Sequence, residues 1–169
     1  MSPLSVTAVS SSALESADLQ PALQLRPATA ADQTFARDLA RRGLLGYYDQ
    51  YGLLWQEEGF DVGWAGRENW LLCRGAQRLG FTSLSRDSQA LFVRELHIDP
   101  AFQRQGLGRQ VLTTVFAMAL VQGLQKVRLT VFKSNQAQNL YERLGFKIVG
   151  QDECFYWMER DYNMYEASR

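Results

Sequence analysis

The chain has 169 residues, 46% of them hydrophobic, and 18 Lys and Arg balance 18 Asp and Glu, so it is long enough for one domain with a full core and carries no net charge. That balance argues against nucleic acid or an anionic membrane as an obligate partner, and no apolar run reaches the ~20 residues of a membrane span. Two distant cysteines, Cys73 and Cys154, and one histidine, His97, suggest neither a disulfide framework nor a metal site. The N-terminus lacks the basic start and apolar block of a signal peptide, so a cytoplasmic location is expected.

Residues 1–20 are rich in Ser and Ala without a sustained period and are read as a flexible tail or a remnant of expression, followed by a single domain over 21–169. Leu23 and Leu25 alternate with Gln24 and Arg26 in a short first strand that ends at Pro27. Thr29 with Asp32 resembles a capping box and predicts a helix to about Arg42, with Phe35 and Leu39 on one face. The stretch 43–66 is less regular and dense in aromatics. It is read as helix to about Tyr51, then a loop, then a short helix. Strands are predicted over 70–73, 79–84 and 90–98, and the short turns between them imply an antiparallel meander.

The pattern then changes. Leu107, Val111, Leu112, Val115, Ala119 and Leu120 recur at helical spacing, and Gly123 closes that helix. Val127, Leu129 and Val131 alternate in a strand. Ser134 or Asn135 caps a short helix through Leu144, stopped by Gly145, and two strands follow over 146–149 and 154–158. A meander followed by strand-helix-strand-helix-strand implies an α/β fold: a mixed, largely antiparallel sheet of about six to seven strands with helices on both faces.

Two segments suggest chemistry. Gln103, Arg104, Gln105, Gly106, Leu107 and Gly108 join a strand end to an amphipathic helix. Glycines there let successive N–H groups point into one concavity, and the helix N-terminus adds partial positive charge, a seat suited to phosphate or pyrophosphate. Alone, such a Gly-x-Gly is more often a plain turn. It is not a P-loop, because no Gly-Lys-Ser/Thr follows. Val111 occupies the third glycine position of a dinucleotide fingerprint, which disfavours that reading too. The second segment begins at Asn135 and runs through Ala137, Leu140 and Tyr141 to Gly145 and Phe146. As bare helix chemistry it is a cap, an apolar face and a stop, with Tyr141 an ordinary packed aromatic. In the strand before the loop, alternation places Glu95 and His97 on one face and Leu96 and Ile98 on the other. An acid and an imidazole side by side in a strand are unusual. The bland readings are an ion pair or surface position for Glu95 and a hydrogen-bonded strand-end residue for His97.

Three segments, in order and spacing, resemble the GNAT superfamily of N-acetyltransferases. The run from Glu95 to Pro100 resembles the family's fourth strand and turn, 103–108 fits its Gln/Arg-x-x-Gly-x-Gly/Ala loop, and 135–146 matches its Asn-x-Ala-x-x-Leu-Tyr-x-x-x-Gly-Phe segment. The resemblance is specific over about 91–158 and weaker over 23–84. It implies a sheet splayed between its fourth and fifth strands, with acetyl-CoA lying in the splay as cosubstrate and no metal. The amides of Gln105 to Gly108 would hold the pyrophosphate, with Arg104 and Arg109 adding charge. The backbone near His97 and Ile98 would bond the pantetheine arm, and Asn135 would stand beside the cofactor. Tyr141 would be the general acid, Glu95 the general base and His97 the second choice for that role. The aromatic stretch falls where the family places mobile helices over the acceptor, and Tyr48 and Trp55 are candidates for the acceptor wall. The implied function is direct transfer of acetyl from acetyl-CoA to an amine, small molecule or peptide. The alternative is a catalytically silent module that senses CoA or an acyl-CoA. A homodimer is left open.

Overall fold

The computed structural model describes residues 21–161; the expected tail and residues 162–169 lie outside it. Seven strands form one sheet in the order β1-β2-β3-β4-β5-β7-β6. They are β1 (Leu23–Pro27), β2 (Glu68–Arg74), β3 (Gln77–Arg86), β4 (Ala90–Ile98), β5 (Lys126–Phe132), β6 (Lys147–Gln151) and β7 (Phe155–Asp161). Strands β2 to β4 make the expected antiparallel meander, and β1, reached through two helices, pairs antiparallel with β2. Strands β4 and β5 are parallel, because a helix carries the chain from one to the other.

Four helices cover the two faces: α1 (Gln33–Gln50), α2 (Glu57–Ala65), α3 (Leu107–Val121) and α4 (Ala137–Arg143). Helices α1 and α2 close one core around Leu39, Phe60, Leu71 and Phe81. Helix α3 packs on the other face through Leu107, Val111, Leu112, Val115, Phe116 and Ala119. Phe116 belongs to that face and Leu120, expected on it, is exposed. The helical stretches expected to about Arg42 and on to about Tyr51 are one helix, α1, of 18 residues that runs through Gly43 and Gly46. A helix tolerates glycine at a modest propensity cost when packing outweighs it, and Leu39, Ala36 and Ala40 bury this one.

The turn into α1 is held by a buried carboxylate. Asp32 is 2% exposed. It accepts from Arg26 at 2.8 and 3.0 Å, from Arg78 at 3.3 Å and from the Thr29 N–H at 2.8 Å. The Thr29–Asp32 cap read from the sequence is therefore present, with two arginines added. The Arg26 hydrogen bonds hold the Asp32 carboxyl well below the usual carboxylate range, against the opposing pull of burial. The unfolded chain binds the proton more readily, so this contribution is complete above about pH 4 and is lost as pH falls toward the depressed native value. Asp32→Ala should destabilise the fold by about 2–3 kcal/mol, and the stability of the variant should vary less with acid than that of the parent. Urea unfolding at pH 7 and pH 3 measures both effects.

Candidate active site

At the C-terminal end of β4 the chain makes a short 3-10 turn (Pro100–Phe102) and enters the glycine loop. Gln103 donates through Nε2 to the Ile98 carbonyl at 3.0 Å and ties the loop back to the strand. Two successive kinks follow, Arg104 at φ 64° and Gly106 at φ 75°. A left-handed backbone is strained for a side chain such as that of Arg104, and such strain clusters at ligand sites. The first α3 residue in this region to close a helical turn is Gln110, whose N–H bonds Gly106 O at 3.1 Å. The preceding amides of Leu107, Gly108 and Arg109 have no intrahelical acceptor and face outward with the positive end of the helix dipole. A cavity of about 260 Å³ lies over them, lined also by Arg104, Arg109 and Arg143. This donor set fits a pyrophosphate. Arg143, at the end of α4, escaped the sequence reading because its neighbours there depend on how α4 meets the loop.

Strands β4 and β5 pair only from Ala90↔Lys126 to Val93↔Leu129 and then part. The cause lies in β4. Against β3, Leu84 pairs with Val93 and Ser83 with Glu95, so Arg94 is an extra residue. Such a bulge bends the strand and shifts its alternation by one. Leu91 and Val93 therefore share the α3 face with Leu96 and Ile98, while Glu95 and His97 face α1. Beyond Val93 the edge of β4 has no strand partner on the β5 side, and a cleft opens there.

The cleft has two chambers. One, about 360 Å³, runs from Tyr47 and Gly43 past Ile98 to Gln103 and Gly108 at the loop. The other, about 200 Å³, is bounded by Tyr48, Arg94, Glu95, Thr130 and Phe132. Leu96, His97, Asn135 and Tyr141 line both. Glu95 and His97 are hydrogen-bonded to each other, Nε2 to Oε2 at 2.5 Å. With Glu95 ionised, His97 Nε2–H is the donor of this bond. The imidazole stacks on Phe81 at 5.4 Å between ring centroids. Its other nitrogen faces Gly43, where an added Cβ would lie 3.2 Å from Nδ1. Gly43 thus lets α1 pass closely over the imidazole, a role its place in the sequence does not show.

Tyr141 comes from α4, which follows β5 through a turn fixed by Asn135. The Asn135 Oδ1 accepts from the Ala137 N–H at 2.9 Å, so its capping role is present. Burial, with a smaller effect from Tyr47, pushes the Tyr141 hydroxyl up to about 12. Tyr141 packs edge-on against Phe146. Tyr48 is also raised, first by burial and then by the charge of Glu95. Trp55 does not line either chamber; it packs behind Tyr48 at 5.8 Å and against Phe60. The end of α1 is fastened to the end of β5. Tyr47 and Tyr51 stack on Phe132 at 5.2 and 5.4 Å, and Ser134 bonds Tyr51 and Gln50. Among the described residues, no group of three or more His, Cys, Asp and Glu is arranged to hold a metal. None of the helices is long and apolar enough to cross a membrane.

Residues 61–160 match the family model described as an acetyltransferase (GNAT) domain. The chain belongs to the GNAT family. It is 36% identical over 73 residues to a [ribosomal protein bS18]-alanine N-acetyltransferase of Haemophilus ducreyi, covering 43% of this chain and 49% of that one, so the likeness spans about half of the relative. Among solved structures it resembles the ribosomal-protein-S18-alanine N-acetyltransferase of Escherichia coli, with a TM-score of 0.68 at 21% identity over 83% of this chain and 94% of the other. It also resembles the PaiA N-acetyltransferase of Thermoplasma acidophilum in complex with coenzyme A, with a TM-score of 0.67 at 17% identity over 83% and 99%. The likeness to these structures bears out the splayed mixed sheet.

Proposed function

We propose that this chain transfers an acetyl group from acetyl-CoA directly to an amine. The observation that supports this reading best is the junction of the two chambers. One chamber leads to the phosphate seat, the other opens beside Glu95, and Tyr141 lies where they meet. Acetyl-CoA supplies an activated acyl carbon with a thiolate leaving group. The first-turn amides of α3, with Arg104, Arg109 and Arg143, hold its phosphates. The free edge of β4 near His97 and Ile98 aligns its arm. Glu95, hydrogen-bonded by His97, takes a proton from the incoming ammonium, directly or through water, so that nitrogen has a lone pair to attack with. As the new N–C bond forms and the C–S bond breaks, the Tyr141 hydroxyl donates to the departing sulfur. Asn135 and Tyr48 complete the walls.

Coenzyme A should stabilise the native state by about 2.7 kcal/mol at ~100 times its dissociation constant. Gly106→Val should remove that gain. An added Cβ meets nothing within 4 Å, so the cause is the left-handed backbone rather than a clash, and a β-branched residue resists φ near 75°. Thermal melts with millimolar CoA test this. A wild-type midpoint that does not move rejects the phosphate seat.

A further inference from the structure

The acceptor-side chamber does not end at Glu95. It abuts a third cavity, about 410 Å³, with which it shares Val93, Arg94, Leu129 and Thr130. Three arginines line that cavity from three different elements: Arg94 from the β4 bulge, Arg128 from β5 and Arg67 from the α2–β2 link. Their charges are not equivalent. Arg128 is neutralised by Glu159 at 2.7 Å. Glu159 is further occupied by Lys126 at 2.8 Å. Asp87, 3.9 Å from Arg128, caps its own turn through the N–H groups of Gln89 and Ala90 and acts on Arg94 only through its charge. Among the described residues no carboxylate lies within ion-pair distance of Arg67 or Arg94.

Both free guanidinium groups are positioned rather than loose. Arg94 is the bulge residue, lies over the Phe92 ring at 4.4 Å and donates through Nε to Ser85 at 2.8 Å. That leaves the outer nitrogens of its fork available. Arg67 packs against the Gly63 backbone, where an added Cβ would come within 3.0 Å of its Cζ. Trp157 closes the far wall, its ring laid against Gly150 on β6. Two like charges held toward one cavity repel each other, and partial burial together with Arg67 lowers the proton affinity of Arg94 against the opposing pull of Asp87, although part of the Arg94 side chain stays exposed to solvent. An oxyanion between them would relieve both penalties.

We propose that Arg67 and Arg94 form an anion subsite of the acceptor pocket, and that the acceptor is an amine bearing a carboxylate. The inference rests on the acetyltransferase reading above. Arg94 is adjacent to Glu95 in the strand, so amine and carboxylate belong to one small molecule or to the first residues of one peptide. The subsite is not a second seat for the cosubstrate phosphates. Arg94 precedes Ile98 by four residues, about 13 Å of strand, on the side away from the glycine loop.

The test compares matched acceptors with acetyl-CoA: free glutamate against its amides, and peptides beginning Ala-Glu, Ala-Gln or Ala-Arg. The first set identifies a free amino acid as the source of the carboxylate, the second an acidic peptide N-terminus. In at least one set the acidic member should be preferred in kcat/KM by about 10- to 100-fold, the range for hydrogen bonds to a charged group. Arg94→Gln and Arg67→Gln should each erase most of that preference through KM, while stabilisation by CoA stays unchanged. Equal use of acidic, neutral and basic acceptors, or a preference that survives both substitutions, overturns the subsite. A binding arm reads the site without turnover: glutarate should perturb tryptophan fluorescence of the wild type, and neither the double Gln variant nor Trp157→Phe should respond. If no amine is acetylated but glutarate binds in this way, the acetyltransferase reading fails while the anion site stands. If amines are acetylated and glutarate does not bind, the anion site falls alone.

Discussion

Replacing Tyr141 with Phe is expected to lower turnover by about 10²- to 10⁴-fold while CoA binding and stability barely change. The ring keeps its edge contact with Phe146 and only the hydroxyl is lost. The size of the effect follows from what that hydroxyl does. With its pKa pushed up to about 12, Tyr141 stays protonated at any working pH and is always ready to donate. A free thiol, of pKa ~8.5, is the stronger acid, so complete transfer from tyrosine to sulfur is unfavourable. In the proposed mechanism Tyr141 would therefore act chiefly by hydrogen-bonding the sulfur as charge develops; of the two protons the ammonium loses, one goes to Glu95 and the second, released as the amide forms, ends on the CoA thiol. Loss of a placed donor at a developing anion belongs to the same range of cost. Steady-state rates with saturating acetyl-CoA measure it. A Phe variant that turns over at the parent rate reduces Tyr141 to a packed aromatic.

Glu95→Gln is expected to cost about 10²-fold at neutral pH and to leave CoA affinity unchanged. The amide oxygen still accepts from His97 Nε2, so the local geometry survives while the proton acceptor is gone. The pH profile separates this role from a structural one. An α-amine loses its proton near pH ~8 and a lysine-type amine near ~10.4. The variant should recover toward the parent rate as pH rises through the value of its acceptor, because the base is then unnecessary. A uniform deficit at every pH assigns Glu95 to positioning, and an unaltered profile removes it from the reaction.

The parts of the site that were legible in the sequence are those whose chemistry is local. The glycine loop, the capping Asn135 and Tyr141 became candidates through the family resemblance of one short segment each, and Glu95 and His97 stood out through simple alternation. What was hidden depends on two strands or two layers at once. Alternation carried back from His97 would place Val93 beside Glu95, whereas the bulge at Arg94 moves Val93 into the α3 core. A two-against-one pairing is a property of β3 and β4 together and leaves no mark in either alone. Gly43 passed as an ordinary residue of an irregular stretch because its reason for being small is an imidazole on another element. Trp55 was indistinguishable from Tyr48 in a dense aromatic run, yet only Tyr48 reaches the chamber. The Arg67–Arg94 pair comes from elements distant along the chain, and charge counting gives no hint of it when the total is zero.

The central claim is that the junction around Tyr141 passes an acetyl group from a CoA thioester to nitrogen. The most direct measurement incubates the full chain with acetyl-CoA and a panel of small and peptide amines, following free CoA thiol and the mass of each amine together. At least one amine should gain a single acetyl group in step with CoA release, and Tyr141→Phe should slow both equally. Firm binding of CoA with no acetylated amine across the panel would contradict it, leaving a module that senses the cofactor without using it.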